Sequence, residues 1–150
     1  MKKLIQLASF LLLFVSACND ESKTATQSEN DIDAARNFIR AALDGNYEKG
    51  RLMLLNDSTN YQYFQEYEKI HAKMDAEEKK KYKEASINVH AVTPVNDSTT
   101  FIIFSNSYQN NNDTLKLMKT GGQWMVDLKY LFNHDLDTIP NSMNKIDTLK

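Results

Sequence analysis

The chain has 150 residues, of which 41% are hydrophobic and 10% aromatic, and a formal net charge of −2. That length suits one domain with a core of its own. The slight acidic balance argues against nucleic acid as a partner, because such domains carry a basic field.

Lys2 and Lys3 precede an apolar run from Leu4 to Val15, interrupted by Gln6 and Ser9. The run falls short of the roughly 20 apolar residues that a membrane-crossing helix needs. A charged start, a short apolar stretch and the small residues Ser16 and Ala17 make the pattern of a secretory signal. The string Val15-Ser16-Ala17-Cys18 resembles the lipobox of bacterial lipoproteins, whose cysteine is acylated and becomes the first mature residue. The plainer alternative is an ordinary cleaved signal followed by an incidental cysteine. Cys18 is the only cysteine, so the chain forms no internal disulfide. Acylation would hold the protein on a membrane without spanning it, each buried methylene adding about 0.8 kcal/mol.

Residues 1–17 are therefore expected to be a signal peptide and 18–30 an acylated tether. Residues 31–132 would form the folded domain and 133–150 a C-terminal tail. Loss of Lys2 and Lys3 would leave sixteen basic against twenty acidic side chains. Asn19-Asp20-Glu21 resembles the surface-export signal of some Gram-negative lipoproteins, and an aspartate there also resembles an inner-membrane retention signal. A solvated linker explains the same residues. The expected address is the cell envelope, at the outer membrane, on its periplasmic or surface face. From Asn19 to Asn30 the chain is polar, without aromatic residues, as a spacer would be.

A first helix should start at Asn30 or Asp31, with Ile32, Ala35, Phe38, Ile39, Ala42 and Leu43 on one face. Gly45 suits its end. A short second helix is expected over Tyr47–Leu55, with Tyr47, Leu54 and Leu55 in the core. The next helix would carry Tyr63, Tyr67, Ile70 and Met74 on its stripe, with Phe64 and His71 beside it. Asp75 and Glu78 have capping-box spacing, so a new helix starts there. Its order of Glu77 and Glu78 before Lys79, Lys80, Lys81 and Lys83 complements the helix dipole, which reads as a solvated face.

After Ala85 the period changes to two. Ile87, Val89, Ala91 and Val95 mark a first strand, Asn96-Asp97 a turn, and Thr100–Tyr108 a second strand. A wider turn over Asn110–Asp113 leads to a third strand, Thr114–Thr120. Gly121-Gly122 is a two-residue hairpin signal before a fourth strand, Gln123–Tyr130. The expected class is α+β: N-terminal helices packed on a four-stranded antiparallel meander. In the tail, Ile139, Met143 and Ile146 are candidates for docking on the domain.

Helices followed by a meander ending Gly121-Gly122-Gln123-Trp124-Met125-Val126-Asp127 resemble the cystatin-like cone of nuclear-transport-factor-2-like domains. Leu43-Asp44-Gly45-Asn46-Tyr47-Glu48-Lys49-Gly50 resembles the first interhelical turn of domain-of-unknown-function family 4878, which is common in small bacterial lipoproteins. Asp75 to Glu84 and the Gly-Gly-Gln-Trp turn fit the same pattern, so the resemblance covers roughly residues 31–128. It implies a fold and no established activity.

The broader superfamily includes isomerase- and cyclase-like enzymes that use an acid or base inside the cone. The candidates for such a group are His71, His90 and Asp127. Strand parity places His90 and Asp127 toward water, while His71 borders the core and, with Tyr67, is the candidate pocket residue. A cone packed with Phe101, Ile103 and Trp124 would leave no room for catalysis. His134, Asp135 and Asp137 cluster in the tail without zinc or calcium spacing, so no metal or other cofactor is expected.

One short pattern recurs at Asp57-Ser58-Thr59, Asp97-Ser98-Thr99, Asp113-Thr114-Leu115, Asp137-Thr138-Ile139 and Asp147-Thr148-Leu149. It resembles the acceptor motif for protein O-glycosylation in some Gram-negative bacteria. Ser58, Ser98, Thr114, Thr138 and Thr148 would then be the acceptors. Turn chemistry accounts for the same residues, since Asp and Ser bond their own backbone. The leading expectation is a non-catalytic module for a small-molecule ligand or an envelope protein, with Tyr61, Tyr63, Tyr67 and Tyr108 as candidate contacts. An isomerase- or cyclase-like enzyme and a purely structural envelope protein are the alternatives.

Overall fold

The computed structural model describes Ser28 and residues 30–133. Cys18, the signal and tether, and the tail readings at His134, Asp135, Asp137, Thr138, Ile139, Met143, Ile146 and Thr148 lie outside the described residues. Among the described residues, no helix is long and apolar enough to cross a membrane.

The protein is α+β, in the order α1 (Asp31–Leu43), α2 (Tyr47–Arg51), α3 (Ser58–Lys73), α4 (Ala76–Glu84), β1 (Ile87–Asn96), β2 (Thr99–Asn106), β3 (Asp113–Thr120), β4 (Gln123–Asp127) and α5 (Lys129–Asn133). Each of the first four helices begins on a short polar cap. The side chains of Asn30, Asn46, Asp57 and Asp75 accept from the backbone N–H three residues on, satisfying donors that the helix itself leaves free. Gly45 ends the first helical segment with φ +71°, a left-handed turn that costs glycine little.

The four strands form an antiparallel meander in sequence order. Gly121 and Gly122 both have positive φ, as a tight hairpin with right-handed twist requires. α1 crosses all four strands. It buries Ala34, Ala35, Phe38, Ile39 and Leu43 against Ile102, Leu115, Leu117 and Val126. The segment after α2 joins the β4 edge: Leu55 N–H donates to Val126 O and Val126 N–H to Met53 O, each at 2.8 Å.

Several local readings change in the structure. The second helix stops at Arg51, because Leu54 forms a parallel bridge to Val126. On α3 the inward residues are Asn60, Phe64, Tyr67 and His71, at helical spacing, while Ile70 is 42% exposed. Asn60 sets this rotation. It is fully buried, its Nδ2 donating to Leu55 O at 3.3 Å and Asp57 Oδ2 at 2.9 Å, and its Oδ1 accepting from Leu128 N–H at 2.7 Å.

On β1 the alternation breaks at His90, an extra residue between Val89, opposite Phe104, and Ala91, opposite Ile103. Ile87, Val89 and Val92 therefore pack on the core, Ala91 takes the other face, and Val95 is 59% exposed at a second irregularity beside Pro94. The first hairpin turns at Asp97-Ser98, between paired Asn96 and Thr99, one residue later than expected. β4 ends at Asp127 rather than Tyr130; Leu128 enters the core and α5 follows.

Of the three residues whose packing would close the cone, only Trp124 lies against the core. Thr100 and Ile102 on β2 face the helices and are essentially buried. Phe101 and Ile103 take the opposite parity, where the Phe101 ring meets Tyr130 at 4.6 Å. Trp124 does pack against the core, with Lys119 Nζ 5.7 Å from its ring centroid.

Candidate functional site

The feature that stands apart from ordinary core packing is a chain of rings leading outward from the α1–α3 contact. Phe38 meets Phe64 at 5.6 Å, and Phe64 stacks on Tyr67 at 6.1 Å. The Gly45 turn delivers Tyr47 edge-on to Phe64, Tyr67 and His71, at 6.0, 6.4 and 5.7 Å. His71 continues the run to Tyr82 on α4, 6.4 Å away, and Tyr82 meets Tyr108 edge-on at 4.9 Å. Tyr108, in the loop between β2 and β3, is exposed. The run thus connects the core to solvent.

Hydrogen bonds along the run are incomplete. Tyr67 Oη donates to Ala42 O at 3.3 Å, and Tyr82 Oη accepts from Gln109 Nε2 at 2.8 Å. Tyr47 Oη and His71 Nε2 are buried without a hydrogen-bond partner among the described residues. His71 is only 7% exposed. An unsatisfied buried polar atom costs on the order of 1–3 kcal/mol, and two neighbouring side chains bear such atoms here.

Burial also controls ionisation. It lowers the His71 pKa, and the positive charge of Lys79 lowers it further. Burial raises the Tyr67 phenol strongly, and Tyr47 and Tyr82 add to the rise. The Tyr47 phenol is raised by burial and then by Glu68. At neutral pH His71 is therefore a neutral imidazole, and the phenols of Tyr47, Tyr67 and Tyr82, each raised mainly by burial, keep their protons.

A pH prediction follows from the direction of these shifts. His71 titrates lower when folded than when unfolded, so on acidification the unfolded chain takes up its proton first. Stability should begin to fall below about pH 6.5. Asp57 is lowered by its bond from Lys129 and then by that from Asn60 N–H. Its contribution is present above the ordinary carboxylate range and lost below about pH 4. Melting temperatures of wild type and His71→Phe, from about pH 8 to about pH 3, should separate the two groups: the variant loses the upper part of the acid decline and keeps the part below about pH 4. An unchanged decline would remove His71 from this account.

Of the residues singled out from the sequence, Tyr67 and His71 meet, with ring centroids 6.3 Å apart. His90 is exposed at its bulge, as parity suggested, and its Nε2 lies 2.8 Å from Ser105 Oγ. Asp127 does not face water: it is 3% exposed, held by Lys116 Nζ at 3.2 Å and Lys129 Nζ at 3.8 Å. Its parity was read correctly as opposite Val126, but α5 and two lysines close over that position. Asp127 pairs with Lys116 and Lys129, His90 meets Ser105, and His71 packs among Tyr47, Tyr67 and Tyr82, so the three candidate acid–base residues have different neighbours.

Ser58 opens α3 and Ser98 lies in the first hairpin, both exposed. Thr114 is half-buried within β3, paired with Ile103. Tyr61 is exposed, its Oη donating to Asn56 Oδ1 at 3.3 Å, and Tyr63 packs partly against the core. Among the described residues, no group of three or more His, Cys, Asp or Glu is placed to hold a metal ion.

Sequence reasoning missed Tyr82 as a member of the run. Tyr82 is the one large apolar side chain in the lysine-rich α4, and that isolation was the available signal. Compared with protein-family models, curated proteins and solved structures, the chain gives no match.

Proposed function

We propose that this chain is an exported bacterial lipoprotein of the kind gathered in domain-of-unknown-function family 4878, anchored at the outer membrane through acylated Cys18. Its α+β domain serves as a non-catalytic module that binds a small ligand along the run of rings from Tyr47 to Tyr108. The observation that carries the binding reading is the pair of buried, unpartnered polar atoms, Tyr47 Oη and His71 Nε2, beside aromatic faces. Binding sites combine apolar walls with a few convergent polar groups in this way. The anchor rests on the charged start, the apolar run and Val15-Ser16-Ala17-Cys18, with the polar stretch to Asn30 as spacer.

Intact-mass measurement under native conditions, on protein gently extracted from its host's membranes, tests both parts. The expected result is an acylated chain beginning at Cys18 that carries a defined small-molecule mass. Hexose increments on the same species would reveal O-glycosylation, with Ser58 and Ser98 as the more accessible acceptors and Thr114 restricted by its strand. Cys18→Ser should move the protein out of the membrane fraction. An acylated monomer with no added ligand would overturn the binding reading. Persistence of Cys18→Ser on the membrane would overturn the anchor.

A further inference from the structure

We propose that the segment following α5 folds back over the outer face of the sheet, seating Ile139, Met143 and Ile146 on Phe101, Ile103, Met118 and Met125. This is independent of the ligand reading, which concerns the helical side of the domain.

The first argument is the chemistry of that face. One side of an antiparallel sheet can face water, and its outward positions are then polar. Here Thr100, Ile102, Leu115, Leu117 and Val126 are buried on the helix side. The alternate positions on β2, β3 and β4 include Phe101, Ile103, Met118 and Met125, which stand away from the core cluster and are half-buried. Met118 pairs directly with Met125, and Phe101 lies diagonally from Met118, near enough for the side chains to form one apolar surface. Lys116, opposite Phe101, is already paired to Asp127 at 3.2 Å, so its charge needs no further partner.

The second argument is where the chain leaves the domain. α5 follows β4 and lies against β3. Lys129, at its start, bonds Asp57, and Leu131 packs on the core, so the point of departure is fixed. Between them Tyr130 reaches the outer face, its ring centroid 4.6 Å from that of Phe101. The chain thus begins to cover this face before it reaches residue 134.

The segment itself supplies the third argument. Leu136, Ile139, Met143 and Ile146 alternate with polar residues and are never more than four positions apart. From Leu136 to Ile146 the chain reaches about 15 Å as a helix and about 33 Å extended. Four strands span about 14 Å, so either form crosses the sheet. A tethered segment also acts at an effective concentration in the millimolar range. A second copy of the chain at micromolar concentration would have to bind about a thousandfold more tightly to take the same face, and would meet the Tyr130 ring there.

The test uses the full chain in detergent, with a spin label on Ser142→Cys and with Cys18→Ser so that the label finds one thiol. The methyl NMR signals of Met118 and Met125 should be attenuated relative to the reduced label. Changing Ile139, Met143 and Ile146 to Ser together should restore them, with circular dichroism confirming that the domain stays folded. Absence of attenuation, or attenuation confined to His71 and Tyr82 on the helical side, overturns the proposal. A mixture of spin-labelled chain and isotope-labelled chain without the spin label detects contact between copies; equal attenuation there means that a second copy covers the face, which also overturns it. Oxidation by hydrogen peroxide checks the result without a label. Met118 and Met125 should form sulfoxide about threefold or more slowly in the native chain than in the triple Ser variant, because oxidation follows exposure. Equal rates would refute the cover.

Discussion

Asn60→Ala is expected to lower the melting temperature by about 10–20 °C, corresponding to about 3 kcal/mol in a domain of this size. Asn60 is fully buried, and its amide joins three places distant in the chain or at a helix start: Leu55 O, Asp57 Oδ2 and Leu128 N–H. Truncation leaves the Leu128 N–H buried without its acceptor and opens a hole at the point where α3 meets the end of the sheet. The cost of the missing acceptor exceeds what the hydrogen bond itself contributes, because water cannot replace it. Thermal unfolding followed by circular dichroism checks this. A loss below about 1 kcal/mol would mean that the amide network is not what fixes α3 in place.

Gly50→Ala should be destabilising by about 1–3 kcal/mol, although glycine to alanine in a helix ordinarily stabilises by close to 1 kcal/mol. A Cβ at Gly50 would stand 2.5 Å from Phe64 Cζ and 3.1 Å from Cε1. Phe64 is 1% exposed and ringed by Phe38, Tyr47 and Tyr67, so it has nowhere to withdraw. Phe64→Leu alone removes aromatic packing and should itself cost stability. In the Gly50→Ala background it should cost less, because the smaller side chain relieves the clash. The double-mutant cycle on urea unfolding measures this coupling, expected at about 1 kcal/mol or more. A Gly50→Ala protein that melts above wild type would refute the contact.

The fold class was readable because its signals are local. Asn30, Gly45, Asp75 and Gly121-Gly122 each announce a cap or turn through the chemistry of a few adjacent residues. What failed was set by distant contacts. Nothing near Asn60 reveals that it will be buried by Leu55 and Leu128, so the α3 stripe was rotated toward Ile70. The bulge at His90 leaves no mark on alternation until β2 is laid beside it. Asp127 alternates like a surface residue, and its burial depends on Lys116 and Lys129 closing over it. The site was half legible: Tyr67 and His71 share a helix face, whereas Tyr47 and Tyr82 arrive from two other helices.

The irregular course of β1 also bears on what the protein does when crowded. β1 stands at one end of the sheet, while the opposite end, at β4, is closed by the Met53–Leu55 segment. A long edge strand invites another chain to extend the sheet. Pro94 offers no N–H to such a chain, and the irregularities at His90 and Val95 bend the strand away from a flat template. The exposed valine thus sits where an incoming strand finds neither straight backbone nor a full set of donors. Copies of this protein packed side by side are thereby kept from zipping into a shared, growing sheet.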